Sequence, residues 1–350
     1  MTKIPESTCI IQSQIACPIF TIAIPTYKRT NLLKEAIESA LNQSYAGAFD
    51  IIVVDNNPDR DDETELMMKE YSDNARIGYY KNSVNLGMTG NWNKLYELAR
   101  GKYVVMLHDD DMLYDYYLDI MDRFLAATHC RYKAIYAMRT VIRDRNKNFE
   151  YTPRIFSMSL KGIHNYFFSA RALSRIPHRI SYKEKKKQDF ATGSILGIPS
   201  GMMLERNAYE KIGPFSDDLF PMMDQEFAYR ATKNVNCCEL KVVMFKYCIG
   251  VNESLNMDSV KKGIINYCKF YGWQIIQDLP YLWKIIGKVC YRANLKSSLA
   301  CAELYFDHCE CCFDQIGYKK NVILDTLSML VWFAVKAYLV IFRTKSVVLD

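Results

Sequence analysis

The sequence predicts an α/β fold: a mostly parallel sheet with helices on both faces, followed by a helical C-terminal region. Two observations predict this fold class. In the first 125 residues, short apolar runs alternate with segments of helical periodicity, which is typical of parallel strands joined by crossover helices. From about residue 258 onward, helical patterns replace this alternation. We therefore expect one large domain over residues 1–250 and a helical region over 251–350.

The predicted elements follow in chain order. The first strand covers 20–24 and ends at Pro25, and Thr30 or Asn31 is expected to cap the next helix. A second buried strand, 50–55, ends in the carboxylate Asp55. The later predictions are helix 61–71, strand 76–80, helix 89–99, strand 102–107, strand 134–140, strand 195–198 and helices from Arg206 and Asp224. The basic run 183–187 is interpreted as a solvated, mobile loop.

The bulk composition excludes some classes of protein. Half of the residues are hydrophobic and 24% are charged, so a packed core is expected rather than disorder. The net charge of +6 suits an anionic partner such as a phosphosugar or an acidic lipid surface. It does not demand nucleic acid, and we expect no nucleic-acid partner.

The cysteines are expected to be reduced thiols. The chain has twelve of them, but residues 1–20 lack the apolar core of a secretory signal, which predicts a cytoplasmic protein. The densest cluster, 308–312, has no CxxC pair, so a zinc site there is disfavoured against free thiols on a packed helix.

An acidic cluster is the strongest functional signal. Asp109, Asp110 and Asp111 directly follow a predicted strand, and ligands of open α/β sheets bind beyond the carboxyl ends of strands. Adjacent carboxylates repel one another, and Mg²⁺ or Mn²⁺ relieves that repulsion while bridging to substrate phosphates. The alternative is that Asp111 merely caps a helix beginning near Tyr114.

Two further carboxylates are candidates for chemistry. Asp55 at a strand end suits a hydrogen bond from a nucleoside, although Asn56-Asn57 after it is also turn chemistry. Asp224 at a helix start is a candidate general base for an acceptor hydroxyl, and the alternative there is a simple helix cap. No glycine-rich loop follows the first strand, which argues against a dinucleotide cofactor or a P-loop.

Taken together, these residues carry a resemblance to family-2 glycosyltransferases of the GT-A fold over roughly residues 18–250. The matching pieces are Ile24-Pro25-Thr26-Tyr27-Lys28-Arg29, Val53-Val54-Asp55, Asn85-Leu86-Gly87, Gly101-Lys102-Tyr103-Val104-Val105 before the acid cluster, Ser200-Gly201, Gly213-Pro214-Phe215, and Asp224 with Arg230. The resemblance implies an NDP-sugar donor, usually a UDP-sugar, and inversion at the anomeric carbon.

The resemblance also implies roles for individual residues. The donor-binding residues would be Pro25, Thr26, Tyr27, Arg29, Asp55, Asn85, Asp109 and Asp110. The region of Thr26 together with Asp55 would touch the nucleoside. Asp111 and Asp110 would hold Mn²⁺ or Mg²⁺, and Asp224 would be the base.

The sequence departs from the family pattern at three points. In the family's Asp-x-Asp-Asp register, His108 stands at the first Asp, which moves the metal contact to Asp110 or Asp111. Met223 replaces the Glu that often precedes the base, and a slip of two residues would make Glu226 the base. No Gln-x-x-Arg-Trp motif of processive synthases occurs, so the addition of a single sugar is favoured. A sugar nucleotidyltransferase and a non-catalytic nucleotide-sugar-binding protein remain as alternatives.

The C-terminal region predicts contact with a membrane. Lys284, Lys288, Arg292 and Lys296 fall on one helical face, and 322–342 is almost wholly apolar. The uncharged run between Asp325 and Lys336 is ten residues, whereas a spanning helix needs about 20. A helix in the interface of an anionic membrane is favoured over a buried or a spanning one. We expect a peripheral enzyme on the inner face of the membrane with a glycan or lipid-linked acceptor.

Overall fold

The computed structural model describes residues 5–142, 177–193, 199–248, 257–303 and 321–349. The strands are β1 (Ser7–Ile11), β2 (Phe20–Thr26), β3 (Phe49–Asp55), β4 (Ile77–Asn82), β5 (Tyr103–Met106), β6 (Met112–Leu113), β7 (Ala134–Ile142), β8 (Arg179–Lys185), β9 (Met202–Glu205), β10 (Cys237–Cys248) and β11 (Thr344–Val348). The helices are α1 (Thr30–Leu41), α2 (Glu63–Met68), α3 (Gly87–Leu98), α4 (Tyr117–Ala127), α5 (Arg206–Ile212), α6 (Met223–Asn234), α7 (Met257–Lys269), α8 (Tyr281–Glu303) and α9 (Val322–Arg343).

These strands form one sheet in the order β1-β4-β3-β2-β5-β9-β7-β10-β8-β11, with β6 pairing to β10. The predicted α/β fold is confirmed, and the parallel part is the run β4-β3-β2-β5 together with the pair β7-β10. The other pairs are antiparallel. The chain adds β3 and β4 on one side of β2 and then returns to add β5 on the other side. That reversal creates a crevice at the carboxyl ends of β2 and β5.

Two hydrophobic clusters cover the two faces of the sheet. Alternate residues of a strand enter opposite clusters, so Ile22 and Ile24 pack on one face while Ala23 packs on the other. The first cluster includes apolar residues of α1, α2 and α4. The second includes apolar residues of α3, α5, α6 and α7. Strands buried on both faces explain why β2 and β3 appear in the sequence as nearly continuous apolar runs.

Helix α1 begins differently from the prediction. Its N-cap is Arg29, which makes no side-chain capping bond, rather than Thr30 or Asn31. The predicted helix 61–71 is a short α2 followed by a 3₁₀ turn, Lys69–Tyr71. The side chain of Asp62 caps α2 by accepting a hydrogen bond from the Glu65 amide at 2.9 Å.

The first three residues of the basic run, 183–185, are part of the sheet, which corrects the loop interpretation there. Strand β8 lies between β10 and β11, and the side chains of Lys183 and Lys185 are buried. Lys183 pairs with Asp189 at 3.3 Å, and Lys185 pairs with Glu239 at 3.0 Å. Each buried lysine therefore has a carboxylate partner, as burial of a charge requires.

The C-terminal helices pack onto this sheet domain. Arg292 of α8 forms an ion pair with Asp325 of α9, and the Trp332 indole donates to the Thr192 carbonyl at 2.8 Å. The unpredicted strand β11 then joins the sheet edge beside β8. The proposed boundary near residue 250 stays a prediction. The predicted strand 195–198 and the cysteine cluster 308–312 lie outside the described residues.

A buried charge cluster beside β3 makes a stability prediction. Lys81 is 2% exposed and donates to Asp55 and Asp62, each at 2.9 Å. We expect Lys81→Met to lower the free energy of unfolding by about 3–5 kcal/mol, because it leaves buried carboxylates unpaired. Denaturant titration measures this change.

The matched control is Lys34→Met. Lys34 pairs with Glu70 at 2.7 Å on an exposed surface, so its loss should change stability little. Equal stability of Lys81→Met and the unsubstituted protein would contradict the assignment of a stabilising buried cluster.

Candidate active site

A cavity of about 680 Å³ opens at the crevice beyond β2, β3 and β5, a size typical of sites for small organic ligands. Predicted site residues that line it are Pro25, Thr26, Tyr27, Arg29, Asn85, Asp109, Asp110 and Asp224. Among the described residues, Asp55, Asp111 and Glu226 do not belong to the lining. The geometry thus brings together carboxylates that are more than 100 residues apart in the sequence.

The end of β2 is bonded to the acid cluster. The Thr26 hydroxyl donates to Asp109 Oδ2 at 2.8 Å. The Arg29 guanidinium contacts Asp109 Oδ1 at 3.3 Å and Asp110 Oδ2 at 3.2 Å. Burial raises the pKa of Asp109 to about 6 despite the nearby Arg29 cation. The segment before α1 therefore supplies the positive charge that partly balances these carboxylates.

Asp111 turns away from the cavity surface and is fully buried. Its Oδ1 accepts a hydrogen bond from the Cys248 amide at 2.9 Å, and Oδ2 makes none among the described residues. Burial, with a smaller contribution from the Asp110 charge, raises the pKa of Asp111 to about 7, against the lowering effects of hydrogen bonds from Ser200 and the Cys248 amide and of the Arg139 charge. The negative charge of ionised Asp111 is therefore only partly balanced by hydrogen bonds and positive charges of the protein.

His108 stands next to this carboxylate. Its backbone amide donates to the Ser200 hydroxyl at 3.1 Å, and its ring stacks on Trp92 with centroids 5.3 Å apart. Burial lowers the pKa of the imidazole, which favours its neutral form. Its Nε2 is buried and makes no hydrogen bond within the described part of the chain.

The residues present fit a divalent cation. The ligand atoms of His108, Asp110 and Asp111 lie within 4.8 Å of one another. Two of these residues offer buried atoms that have no hydrogen-bond partner in the described chain, Asp111 Oδ2 and His108 Nε2. A cation would satisfy both atoms and offset the repulsion between the two carboxylates.

The turn at Ser200-Gly201 helps to hold this strand end. Gly201 has a φ of +73°, and a Cβ there would lie 2.4 Å from the Phe245 ring. Only glycine combines that backbone conformation with such a close approach. Its amide donates to the Met106 carbonyl at 2.8 Å, which fixes the end of β5 just before His108.

Asp55 is placed differently from the prediction. Its carboxylate accepts hydrogen bonds from Tyr79 at 2.8 Å, Lys81 at 2.9 Å and the Asn57 amide at 2.9 Å. It is fully buried below the cavity rather than in its wall. A direct contact between Asp55 and the nucleoside stays a prediction that this geometry does not favour.

A network of asparagine amides shapes the wall beside Asp55. Asn56 Nδ2 donates to Asn85 Oδ1 at 2.8 Å, and Asn56 Oδ1 accepts from the Leu86 amide at 2.8 Å. Asn82 donates to both Asn56 at 3.0 Å and Asn91 at 2.9 Å. The network orders the turn before α3 and presents Asn56 and Asn85 to the cavity.

The two base candidates differ in their surroundings. Asp224 lines the cavity and accepts from the Gln225 amide at 2.7 Å, and burial raises its pKa to about 6. Glu226 instead makes two hydrogen bonds to the Arg230 guanidinium, at 2.5 and 2.7 Å. Arg230 also donates to the carbonyls of Ile212 and Pro214, so this pair braces the turn at Gly213.

A model of glycosyl transferase family 2 matches residues 21–213, more than half of the 350-residue chain. The chain belongs to this family. Both the family membership and the GT-A fold predicted from the sequence are confirmed. The match covers the strand ends that carry Thr26, the acid cluster and Ser200.

Two relatives are similar to the chain over part of their length. An uncharacterized glycosyltransferase of Methanocaldococcus jannaschii is 30% identical over 49% of this chain and 62% of its own length. The GalNAc(5)-diNAcBac-PP-undecaprenol beta-1,3-glucosyltransferase of Campylobacter jejuni is 36% identical over 27% of this chain and 31% of its own. The alignments thus span less than two thirds of these relatives.

A solved structure supports the fold over nearly the whole chain. The mannosyltransferase of Pyrobaculum calidifontis, in complex with GDP-Man and Mn²⁺, has a TM-score of 0.52 at 16% identity. The alignment covers 95% of this chain and 90% of that one.

Several cavity residues were missed by sequence reasoning. Trp92, Asn91 and Tyr247 line the wall, and α7 adds Ser259 and Gly263. Arg139 stacks over the Tyr247 ring at 5.1 Å and interacts electrostatically with Asp111 and Asp224. No motif marks these positions, because they reach the site through strand pairing and helix packing across the sheet.

Proposed function

We propose that the protein is an inverting glycosyltransferase that moves one sugar from an NDP-sugar, in the first instance a UDP-sugar, to an acceptor hydroxyl. One observation carries the proposal: Asp109 and Asp110 of the acid cluster at the end of β5 line the same cavity as the separate carboxylate Asp224. The first suits a metal and a diphosphate, and the second suits proton abstraction. Family membership supports the class of reaction.

The donor end of the cavity is proposed to hold the nucleotide diphosphate. Thr26, Asn56 and Asn85 offer hydrogen-bonding groups to the nucleoside, and Arg29 offers a cation to the phosphates. Asp110 and Asp111 are the metal-binding residues. Mn²⁺ or Mg²⁺ bound there would supply positive charge that stabilises the leaving diphosphate.

The chemistry is proposed to be a single displacement. Asp224 accepts the proton of the acceptor hydroxyl while that oxygen forms a bond to the anomeric carbon. The bond between the anomeric carbon and the diphosphate oxygen breaks, and the nucleoside diphosphate leaves with that electron pair. Attack from the face opposite the leaving group inverts the anomeric configuration. Arg29 balances part of the charge that develops on the phosphates.

A sugar nucleotidyltransferase is the weaker candidate. That reaction attacks a phosphate rather than a sugar carbon and needs no carboxylate base for an acceptor hydroxyl of a sugar chain. Asp224 at the cavity wall favours glycosyl transfer, because its raised pKa of about 6 suits a base near neutral pH.

The base assignment is tested by a pair of variants. We expect Asp224→Asn to reduce sugar transfer by about 10²–10⁴-fold, the usual contribution of a general base. The matched control Glu226→Gln should retain transfer within a few-fold, because Glu226 is occupied by Arg230. Transfer is measured as radiolabelled sugar passing from the nucleotide donor to a lipid extract, and donor affinity by calorimetry should stay unchanged in Asp224→Asn. Loss of transfer in Glu226→Gln alone would reassign the base.

The pH profile provides an independent test. A base with a pKa raised by burial to about 6 is mostly deprotonated above that pH and mostly protonated below it. Transfer is therefore expected to fall about tenfold per pH unit below 6. Arg139 and Tyr136 both interact electrostatically with Asp224. A profile that stays flat down to pH 4 would contradict this role.

We further propose that the acceptor is a glycan carried on a lipid and that the protein lies on the inner face of an anionic membrane. Within the described residues one helix, α9, is long and apolar enough to cross a membrane. Only 22% of its most apolar stretch is buried inside the protein. Its polar residues Asp325 and Ser328 face inward, whereas many of its apolar residues face outward. The outward set is Val322, Ile323, Leu324, Leu327, Leu330, Val331, Ile341 and Phe342.

Helix α8 extends this surface. Tyr281, Leu282 and Ile285 are exposed on α8, and Lys288 beside them is exposed as well. An apolar face flanked by aromatic and basic residues is typical of a helix lying in a membrane interface. The predicted cationic stripe is reduced, because Arg292 pairs with Asp325. The undecaprenol-linked substrate in the name of the Campylobacter jejuni relative supports a lipid-linked acceptor.

Membrane binding is tested by flotation with vesicles of phosphatidylcholine and phosphatidylglycerol. We expect the protein to float and the double variant Leu327→Glu, Leu330→Glu to stay in the dense fraction. These side chains are 54% and 62% exposed, and burying each in lipid stabilises binding by about 1.5–3 kcal/mol. The control is Leu66→Glu, at a residue 53% exposed on α2.

Two outcomes would contradict the membrane proposal. One is that the unsubstituted protein stays in the dense fraction at low salt. The other is that it forms a dimer in solution and that the double variant abolishes this dimer. The second outcome would make this face an interface between two copies of the chain.

A further inference from the structure

We propose that His108 is a nitrogen ligand of the divalent cation, and that it makes the site prefer Mn²⁺ to Mg²⁺. This inference rests on the proposed metal site at Asp110 and Asp111. It goes beyond it by naming a third ligand from the position where the family pattern has a carboxylate. The metal would then be bound by oxygen and nitrogen ligands from the protein rather than by oxygen ligands alone.

The geometry of three side chains carries the proposal. One ligand atom from each of His108, Asp110 and Asp111 falls within a group that spans no more than 4.8 Å. Such a limit is close to the span of ligands that surround one cation at about 2.0–2.3 Å. Buried imidazole nitrogens normally have a hydrogen-bond partner, yet His108 Nε2 has none among the described residues.

The ring of His108 is held in this position by its surroundings. Trp92 stacks on one face at an angle of 20° between the ring planes. The Ser200 hydroxyl accepts a hydrogen bond from the His108 backbone amide, which fixes the strand end. A ligand that is held in place before the metal arrives loses less side-chain entropy on binding.

Asp109 is not counted among the metal ligands, because its side chain binds other residues. Its two oxygens accept hydrogen bonds from Thr26 and Arg29, at 2.8 and 3.3 Å. With His108 in place of a third carboxylate, the two ligands Asp110 and Asp111 together balance the double charge of the cation. Imidazole suits transition metals, whereas Mg²⁺ prefers an oxygen-only shell.

The experiment is pulsed electron paramagnetic resonance of the full-length protein with Mn²⁺ alone, without nucleotide. We expect a ¹⁴N coupling to the bound Mn²⁺ that becomes a ¹⁵N coupling in protein labelled with ¹⁵N-histidine. The coupling should be absent in His108→Asp, and the ratio of Mn²⁺ to Mg²⁺ affinity in that variant should fall by at least about tenfold. The control His129→Asn should keep the coupling; residue 129 has a φ of +50°, which asparagine tolerates.

The outcomes separate this inference from the proposed function. Mn²⁺ binding that is lost in Asp110→Asn but shows no nitrogen coupling in the unsubstituted protein would overturn the role of His108 and leave the metal site intact. No Mn²⁺ binding at all would overturn both. The nitrogen coupling is measured on the unsubstituted protein, so the result does not depend on a variant that folds poorly.

Discussion

The structure depends on how a cluster of buried carboxylates is balanced by positive charge. Asp109 and Asp111 both have a pKa raised by burial, to about 6 and about 7. Arg29 contacts the cavity side of the cluster, and Arg139 acts on Asp111 from β7. A protein that only required stability would not bury these groups together, because both lose hydration and Asp111 Oδ2 gains no hydrogen-bond partner among the described residues. A divalent cation, as proposed above, would bring complementary positive charge and make the arrangement favourable.

The sheet determines where that charge is collected. β2 and β5 are parallel neighbours, so their carboxyl ends present Thr26 and His108 at one edge. Antiparallel β9 then brings Ser200 and Gly201 against the end of β5, and β10 brings the Cys248 amide to Asp111. Long-range pairing therefore positions the groups that hold the cluster, while the cluster itself is a short local sequence. Rigid strands keep such groups in place better than loops would.

The sequence could predict those parts of the fold whose signals are local. The runs that form β2 and β3 are buried on both faces, so their apolar character alone indicates a strand. Lys183 and Lys185 were predicted to lie in a solvated loop but are buried in a strand. Their carboxylate partners, Asp189 and Glu239, can be identified only in the folded structure. The carboxylate of Asp55 stands at a predicted strand end, but it pairs with Lys81 of the neighbouring strand and does not line the cavity. Charge pairing across strands is what a single sequence leaves undetermined.

Helix α9 shows the same limit in a different way. Its composition indicates a polar stripe on an apolar helix, but composition does not say which side faces the protein. In the structure Asp325 pairs with Arg292, and Lys336 lies over the Trp332 ring at 3.6 Å, so the polar stripe packs inward. The apolar side is left facing outward, the reverse of a helix on a water-exposed surface. Since exposed apolar faces of this extent mark interaction sites, the packing of α9 itself argues for an apolar partner surface. Residues of α7 line the cavity while α8 and α9 carry this surface, so the C-terminal region contributes both to the cavity and to the apolar surface for which a membrane is proposed above.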